Sequence, residues 1–253
     1  MVERETQSLT ITLLTIRQFM RSRAMLVVAA ISLFPIIFAL IPQLLPDGPS
    51  LRDQRRILGD VIFLGFLSTT LLPLATLVLS TSALGDEVED KTLQYLALKP
   101  ITRTRIVLGK FLAVMLVTVP IVWIGVLLTW AVGSWGAYDA MRDMLWPMLA
   151  ATLVGMLGFG SVFLLLSLLI PRALLFGVFY VFIWESALSR FLPGIRSISI
   201  SHYTRSMFVR LLDDRRITID GPSATQTIIV TIACVMVISL ALAIWRLRSM
   251  SLE

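Results

Sequence analysis

The chain has 253 residues, of which 57% are apolar and only 15% charged, and its mean hydropathy is +0.87. A water-soluble fold of this length cannot hide so much apolar surface, so composition excludes an ordinary soluble enzyme or binding domain and points to a membrane protein. The formal net charge of +6 suits anionic lipid headgroups as well as it suits nucleic acid; because the positive residues are scattered along the ends of apolar runs, membrane lipids are the expected partner and nucleic acid is not.

Residues 1–23 carry Arg4, Arg17, Arg21 and Arg23. Leu9, Leu13, Ile16 and Met20 recur at helical spacing with Arg17 and Arg21 on another face, which predicts a helix lying in the membrane interface; a plain extension of the first span is the alternative. The apolar run that follows is too long for a signal-peptide core and lacks a small-residue cleavage site, so it reads as a retained span.

Charge-free runs cover Ala24 to Pro46, Val61 to Gly85, Phe111 to Tyr138, Met144 to Ile170 and Gly221 to Trp245. Each exceeds the roughly 20 residues that a helix needs to cross a bilayer. A shorter run, Ala173 to Ser189, is interrupted only by Glu185. Together these predict one all-α integral membrane domain over residues 1–253, with spans at 24–46, 58–84, 105–132, 144–170, 173–189 and 223–246. Six crossings put both termini on one side. Lys and Arg divide almost evenly between the two sides; weighting the N-terminal cluster and the short loops places both termini in the cytoplasm. Neither a repeat nor sustained strand alternation is present.

Within the spans, Pro73, Pro120 and Pro147 can each kink a helix. Ala151, Gly155, Gly158 and Gly160 would let another helix approach closely, either within the chain or in a second copy. The turn "PQLLPDGPSLRDQRR" leads into the second span, where Asp60 beside Arg55 and Arg56 reads as an interfacial charge. Trp123, Trp130, Trp135, Trp146, Trp184 and Trp245 include several at span ends, as interfacial anchors.

From Arg172 to Glu185 a helix rises about 20 Å, which carries Glu185 past the centre of a hydrocarbon layer roughly 30 Å thick. An ionisable group at such depth faces a cavity or a partner, so Glu185 is a candidate for the substrate path; alternatively the helix unwinds there and Glu185 meets water or Arg190. Residues 190–220 alternate apolar side chains with arginines, which fits a segment that dips into the outer leaflet and returns, followed by an interfacial stretch.

The chemistry argues mainly by exclusion. His202 is the single histidine and Cys234 the single cysteine. Metal sites built on paired histidines and intrachain disulfides are therefore excluded, and no metal ligand or catalytic residue is assigned. Gly109-Lys110 invites comparison with a phosphate-binding loop, but Thr104 stands where that loop needs glycine and Phe111 where it needs Ser or Thr. No cofactor is expected on this chain.

The polar stretch "EVEDKTLQYLALKPITRTRIVLGK", residues 87–110, interrupts the apolar runs. Its acidic start, with Asp86 just before it, suits a helix N-terminus, and Lys99 with Pro100 suits a helix end, so a helix of about three turns is predicted, with a second start at Thr102. Either a partner protein docks on its Leu93, Leu96 and Ala97 face or the segment is a capped, solvated loop. The pattern formed by Glu87, Glu89, Asp90, Thr92, Leu93, Leu96, Pro100, Arg103, Gly109 and Lys110 resembles the segment between the second and third spans of ABC-2 type permeases, the membrane subunits of ATP-driven exporters. Lys91 stands where that family commonly has glycine. The resemblance implies that residues 85–104 form a coupling helix seated in a cytoplasmic ATP-binding subunit, docked through Glu87, Glu89, Asp90, Thr92, Leu93, Leu96, Pro100 and Arg103. It further implies two permease chains, identical or related, with two ATP-binding subunits that hold ATP and Mg, in the cytoplasmic (inner) membrane. The substrate path would run at the permease interface, lined mainly by spans one, two and five. A stand-alone secondary transporter or channel, a membrane scaffold and an intramembrane enzyme using His202 are the competing readings.

Overall fold

A computed structural model describes residues 12–20, 22–44, 48–89, 102–188 and 198–249, and every regular element among them is helical. Residues 12–20 form a short helix. Its buried stripe is Thr12, Thr15 and Phe19, while Leu13 and Met20 stay exposed. The face turned to the bundle is thus the Thr12–Thr15–Phe19 line, and Leu13 and Met20 of the apolar line lie on the other side. Small threonines allow close approach, and the Thr12 hydroxyl donates to the Gly109 carbonyl at 3.2 Å. The long apolar side chains are left where lipid would cover them.

The first span is built from α1 (Arg23–Leu33), α2 (Pro35–Leu40) and a 3-10 turn, Ile41–Leu44. Pro35 opens α2, the position where a missing N–H costs a helix least. Helix α3 (Leu51–Arg56) is capped by the Ser50 hydroxyl, which accepts from the Asp53 amide at 3.3 Å. It continues as a π-wound stretch, Ile57–Leu71, and then as α4 (Leu72–Glu89). Pro73 lies at this change of winding; its ring and missing N–H disrupt the regular ladder there. The acidic residues expected to open a separate short helix instead prolong α4 to Glu89. The rest of that expected helix lies outside the described residues.

Helices α5 (Arg103–Gly133) and α6 (Tyr138–Leu169) run unbroken through Pro120 and Pro147. Then come α7 (Ala173–Phe179), extended by a π-wound turn Tyr180–Leu188, α8 (Ile200–Leu212) and α9 (Thr225–Ser249). Among the described residues, five helical stretches are long and apolar enough to cross a membrane: Arg23–Leu44, Leu51–Gly85, Arg103–Gly133, Tyr138–Leu169 and Thr225–Ser249. The remaining apolar run gives a shorter helix, Ala173–Glu185.

Helix α6 is the hub, packing against α4, α5, α7, α8 and α9. Its small residues explain how: a side chain at Gly155 would strike Leu72 and Thr204, at Gly158 Ile200 and Ile232, and at Gly160 Met115. The small-residue stripe is therefore used inside the chain. A tight backbone approach joins α1 and α5, where a Cβ on Gly125 would collide with the Ser32 carbonyl. Around this centre, Leu26, Ile37, Leu116, Ile124, Phe176, Phe179, Val230 and Val237 are exposed, an apolar belt suited to a hydrocarbon layer.

Two polar ends bracket the belt. At one, Arg55 donates to Asp143 at 2.5 Å and to the Ala140 carbonyl at 2.9 Å, and pairs with Asp214 at 3.3 Å. This ties α3 to α6 and to the loop after α8. At the other end meet the 12–20 helix, the end of α4, the start of α5 and the end of α9.

Candidate functional site

Glu185 lies in the π-wound turn that extends α7, and it is fully buried. A bare carboxylate there would be very unfavourable, yet this one is satisfied from several directions. Its Oε1 accepts from the Tyr180 hydroxyl at 2.8 Å and from the Ile200 amide at 3.1 Å. Its Oε2 accepts from the Ser199 hydroxyl at 2.5 Å and from the Ser201 amide at 3.2 Å. Ile200 and Ser201 are the first residues of α8. The carboxylate therefore occupies the positive end of that helix and saturates amides that have no partner within it. Ser199 completes the cap, since its hydroxyl oxygen also accepts from the His202 amide at 3.2 Å. Val181, Phe163, Ile200 and Tyr203 belong to the apolar cluster beside this junction, where low polarity strengthens each bond.

The same helix faces the polar end that holds Arg55. His202 Nε2 lies 3.2 Å from the Ser223 hydroxyl, and the Ser223 amide donates to Ser206 Oγ at 3.2 Å. Arg210 donates to the carbonyls of Pro222 and Ser223 at 2.9 and 3.1 Å. These contacts bind α8 to the strand of chain that enters α9. Between α8, the π-wound stretch of the second span and the 218–220 loop opens a cavity of about 450 Å³, lined by Asp60, Ser199, Ser201, His202, Arg205 and Asp220 among others. A second cavity of about 360 Å³, bordered by Arg52, Arg56, Asp214 and Arg216, shares Asp60 with it. Only the charges themselves signalled this vestibule in the sequence. Among the described residues no group of His, Cys, Asp and Glu is arranged to hold a metal ion.

At the opposite end, Arg103 donates to the carbonyls of Leu247 and Arg248 at 2.7 and 2.5 Å, and Arg248 reaches the Thr104 hydroxyl at 3.3 Å. The guanidinium thus sits at the negative end of α9, where a cation and donor are favourable. Lys110, 1% exposed, donates from Nζ to the Ala83 carbonyl and links α5 to α4. Its only sequence signal was the Gly-Lys pair. Of the other residues expected to dock a partner, Glu87 and Glu89 fall in the last turn of α4. Asp90, Thr92, Leu93, Leu96 and Pro100 lie outside the described residues. Glu185 is far along the chain from all of these and serves a different junction.

No curated protein matches the chain. A family model described as "ABC-2 family transporter protein" matches residues 18–192, more than half of the chain. That stretch contains the first five apolar runs and the whole 87–110 segment. Its apolar helices and this match make the chain a multi-pass membrane protein that belongs to the ABC-2 family of transporter proteins.

Proposed function

We propose that the chain is the permease subunit of an ATP-driven exporter, moving a substrate out across the cytoplasmic membrane with energy supplied by a separate ATP-binding subunit. In this reading the chain is a single domain with six crossings. The fifth is the short Ala173–Ser189 run, residues 190–220 dip into the outer leaflet, and both termini are cytoplasmic. Two permease chains and two ATP-binding subunits make the working assembly. ATP and Mg are bound by the partner and not by this chain, which contributes no catalytic residue.

The observation that carries the reading is where the two described ends of the 85–104 segment lie. One is the end of α4 and the other the start of α5, beside the 12–20 helix and the end of α9. Thr12 is bonded to Gly109 and Arg103 to Leu247, so force applied to this segment passes at once to the elements flanking the first span and to the last span. Glu87, Glu89, Asp90, Thr92, Leu93, Leu96, Pro100 and Arg103 are the docking residues of the proposal, and Glu185 borders the substrate path.

The test is a gentle-detergent purification of the tagged chain from its native membrane, with mass spectrometry of whatever remains bound, repeated with Glu87→Lys and Glu89→Lys together. An ATP-binding subunit retained by the native chain and lost from the double variant supports the reading. A native chain that comes down alone even after crosslinking, or a double variant with full transport, refutes it.

A further inference from the structure

The larger cavity contains two polar groups that the fold leaves unanswered. Ser201 is 1% exposed and borders the cavity; its amide is bonded to Glu185, but its hydroxyl has no hydrogen-bond partner among the described residues. A buried hydroxyl left in this state is unfavourable. Asp60 is half-buried in the wall common to both cavities. It makes no hydrogen bond or ion pair among the described residues, and Arg56 and Asp214 act on it through space with opposite sign. Asp60 also lies in the π-wound stretch, a winding that recurs at functional sites. Asp220, a second carboxylate, stands on the facing loop.

Both unanswered groups can accept a hydrogen bond, and one is an acid. What completes them is a cationic group that donates hydrogen bonds. The cavity wall includes the apolar Leu64 and Ile219 and no Phe, Tyr or Trp ring. An aromatic cage, the usual means of holding a quaternary ammonium, is therefore lacking. We infer that the cavity between Asp60 and Ser201 is a binding site for a primary ammonium group, discriminating against its N-methylated form. Asp60 supplies the counter-charge and Ser201 an acceptor, while Arg205 and His202 at the rim favour a ligand that carries an anionic or hydroxyl group beside the amine. A lipid headgroup and a small soluble amine share this chemistry.

The site stands independently of the exporter reading, because binding is read on the full chain without nucleotide or transport. The chain purified in detergent is titrated with ethanolamine and with choline by calorimetry. It is then mixed with phosphatidylethanolamine or phosphatidylcholine and examined by native mass spectrometry. The expected result is that at least one amine form binds, with its N-methylated counterpart at least tenfold weaker. Binding of phosphatidylethanolamine without ethanolamine identifies the lipid headgroup as the ligand; binding of ethanolamine without the lipid identifies a soluble amine. Asp60→Asn lowers the binding at least tenfold. Ser201→Ala removes an unpaired hydroxyl, so it folds at least as well as the native chain and weakens the amine severalfold; it serves if Asp60→Asn fails to accumulate. Equal binding of amine and quaternary forms, no binding of either, or native affinity in the folded variants overturns the assignment.

Discussion

Glu185 and Ser199, 14 positions apart in sequence, meet at 2.5 Å inside the bundle, and the acid reads through that serine the orientation of the helix that follows. With the amides of Ile200 and Ser201 on the same carboxylate, removal of the acid strands several buried donors at once. Glu185→Ala is expected to lower stability by about 3 kcal/mol or more, at roughly 1–3 kcal/mol for each donor left unsatisfied. Glu185→Gln, which keeps one acceptor oxygen, should fall between. Thermal unfolding in detergent, with hydrogen exchange at residues 198–204, checks this; an alanine variant with native unfolding temperature and native protection would sink the idea that Glu185 fastens α8.

Arg103 separates two roles that the family resemblance alone would merge. If its bonds to Leu247 and Arg248 hold the end of α9, Arg103→Ala raises hydrogen exchange at residues 245–249 severalfold, corresponding to a local loss of about 1–2 kcal/mol. Co-purification of an ATP-binding subunit should fall in the same variant. Unchanged exchange with lost co-purification would assign the residue to docking alone.

Gly125 is set against the backbone of Ser32, and backbone cannot yield as a flexible side chain can. Gly125→Ala is expected to cost about 1–3 kcal/mol through overpacking, read as a lowered unfolding temperature. The same exchange at Gly136, which has nothing within reach of a Cβ but a φ of +77°, acts through backbone strain and is expected to cost about 1 kcal/mol. A Gly125→Ala chain as stable as the native one would mean that α1 and α5 do not touch as described.

Arg55 clamps one polar end of the bundle, but Asp143 is half exposed. Solvent screens that pair, so Asp143→Asn should cost less than about 1 kcal/mol, and less still at high salt. Arg55→Ala should cost more, because it also abandons the Ala140 carbonyl and leaves Asp214 without its cation. Comparing the two variants at low and high ionic strength checks the order; equal losses would show that Asp143 carries the whole clamp.

Much of the architecture was legible because lipid imposes a crude rule. Runs such as Phe111 to Tyr138 have room for no other structure, and the acidic-to-basic order of residues 87–110 carried the family. The junction around Glu185 was less readable. Apart from Tyr180 in the same π-wound turn, its partners lie 14 to 16 positions downstream, beyond any helical spacing, and the depth of Glu185 said only that some partner must exist. The helical face of α8 was hard to read within the expected interfacial stretch, because its buried side carries Ser201, Thr204 and Ser206 beside Tyr203 and Phe208. Hydroxyls that bond back to their own helix, as Thr204 does to Ile200 at 3.1 Å, pass for apolar groups in packing and for loop residues in sequence. Asp60 looked like any charge at a membrane surface; only the π winding and the fold of α8 gave it a cavity.

The Glu185 junction also bears on how the chain is made. Synthesis delivers the acid before Ser199, Ile200 and Ser201 exist, so of its four donors only the Tyr180 hydroxyl is on hand when the Ala173–Ser189 run is made, and an acid so incompletely satisfied is costly inside a bilayer. The other three donors arrive with the start of α8. A nascent chain halted just before Ser199 should therefore insert residues 173–189 less completely than one extended through Leu212, as reporter glycosylation sites placed after Ser189 would register, and Glu185→Leu should erase the difference.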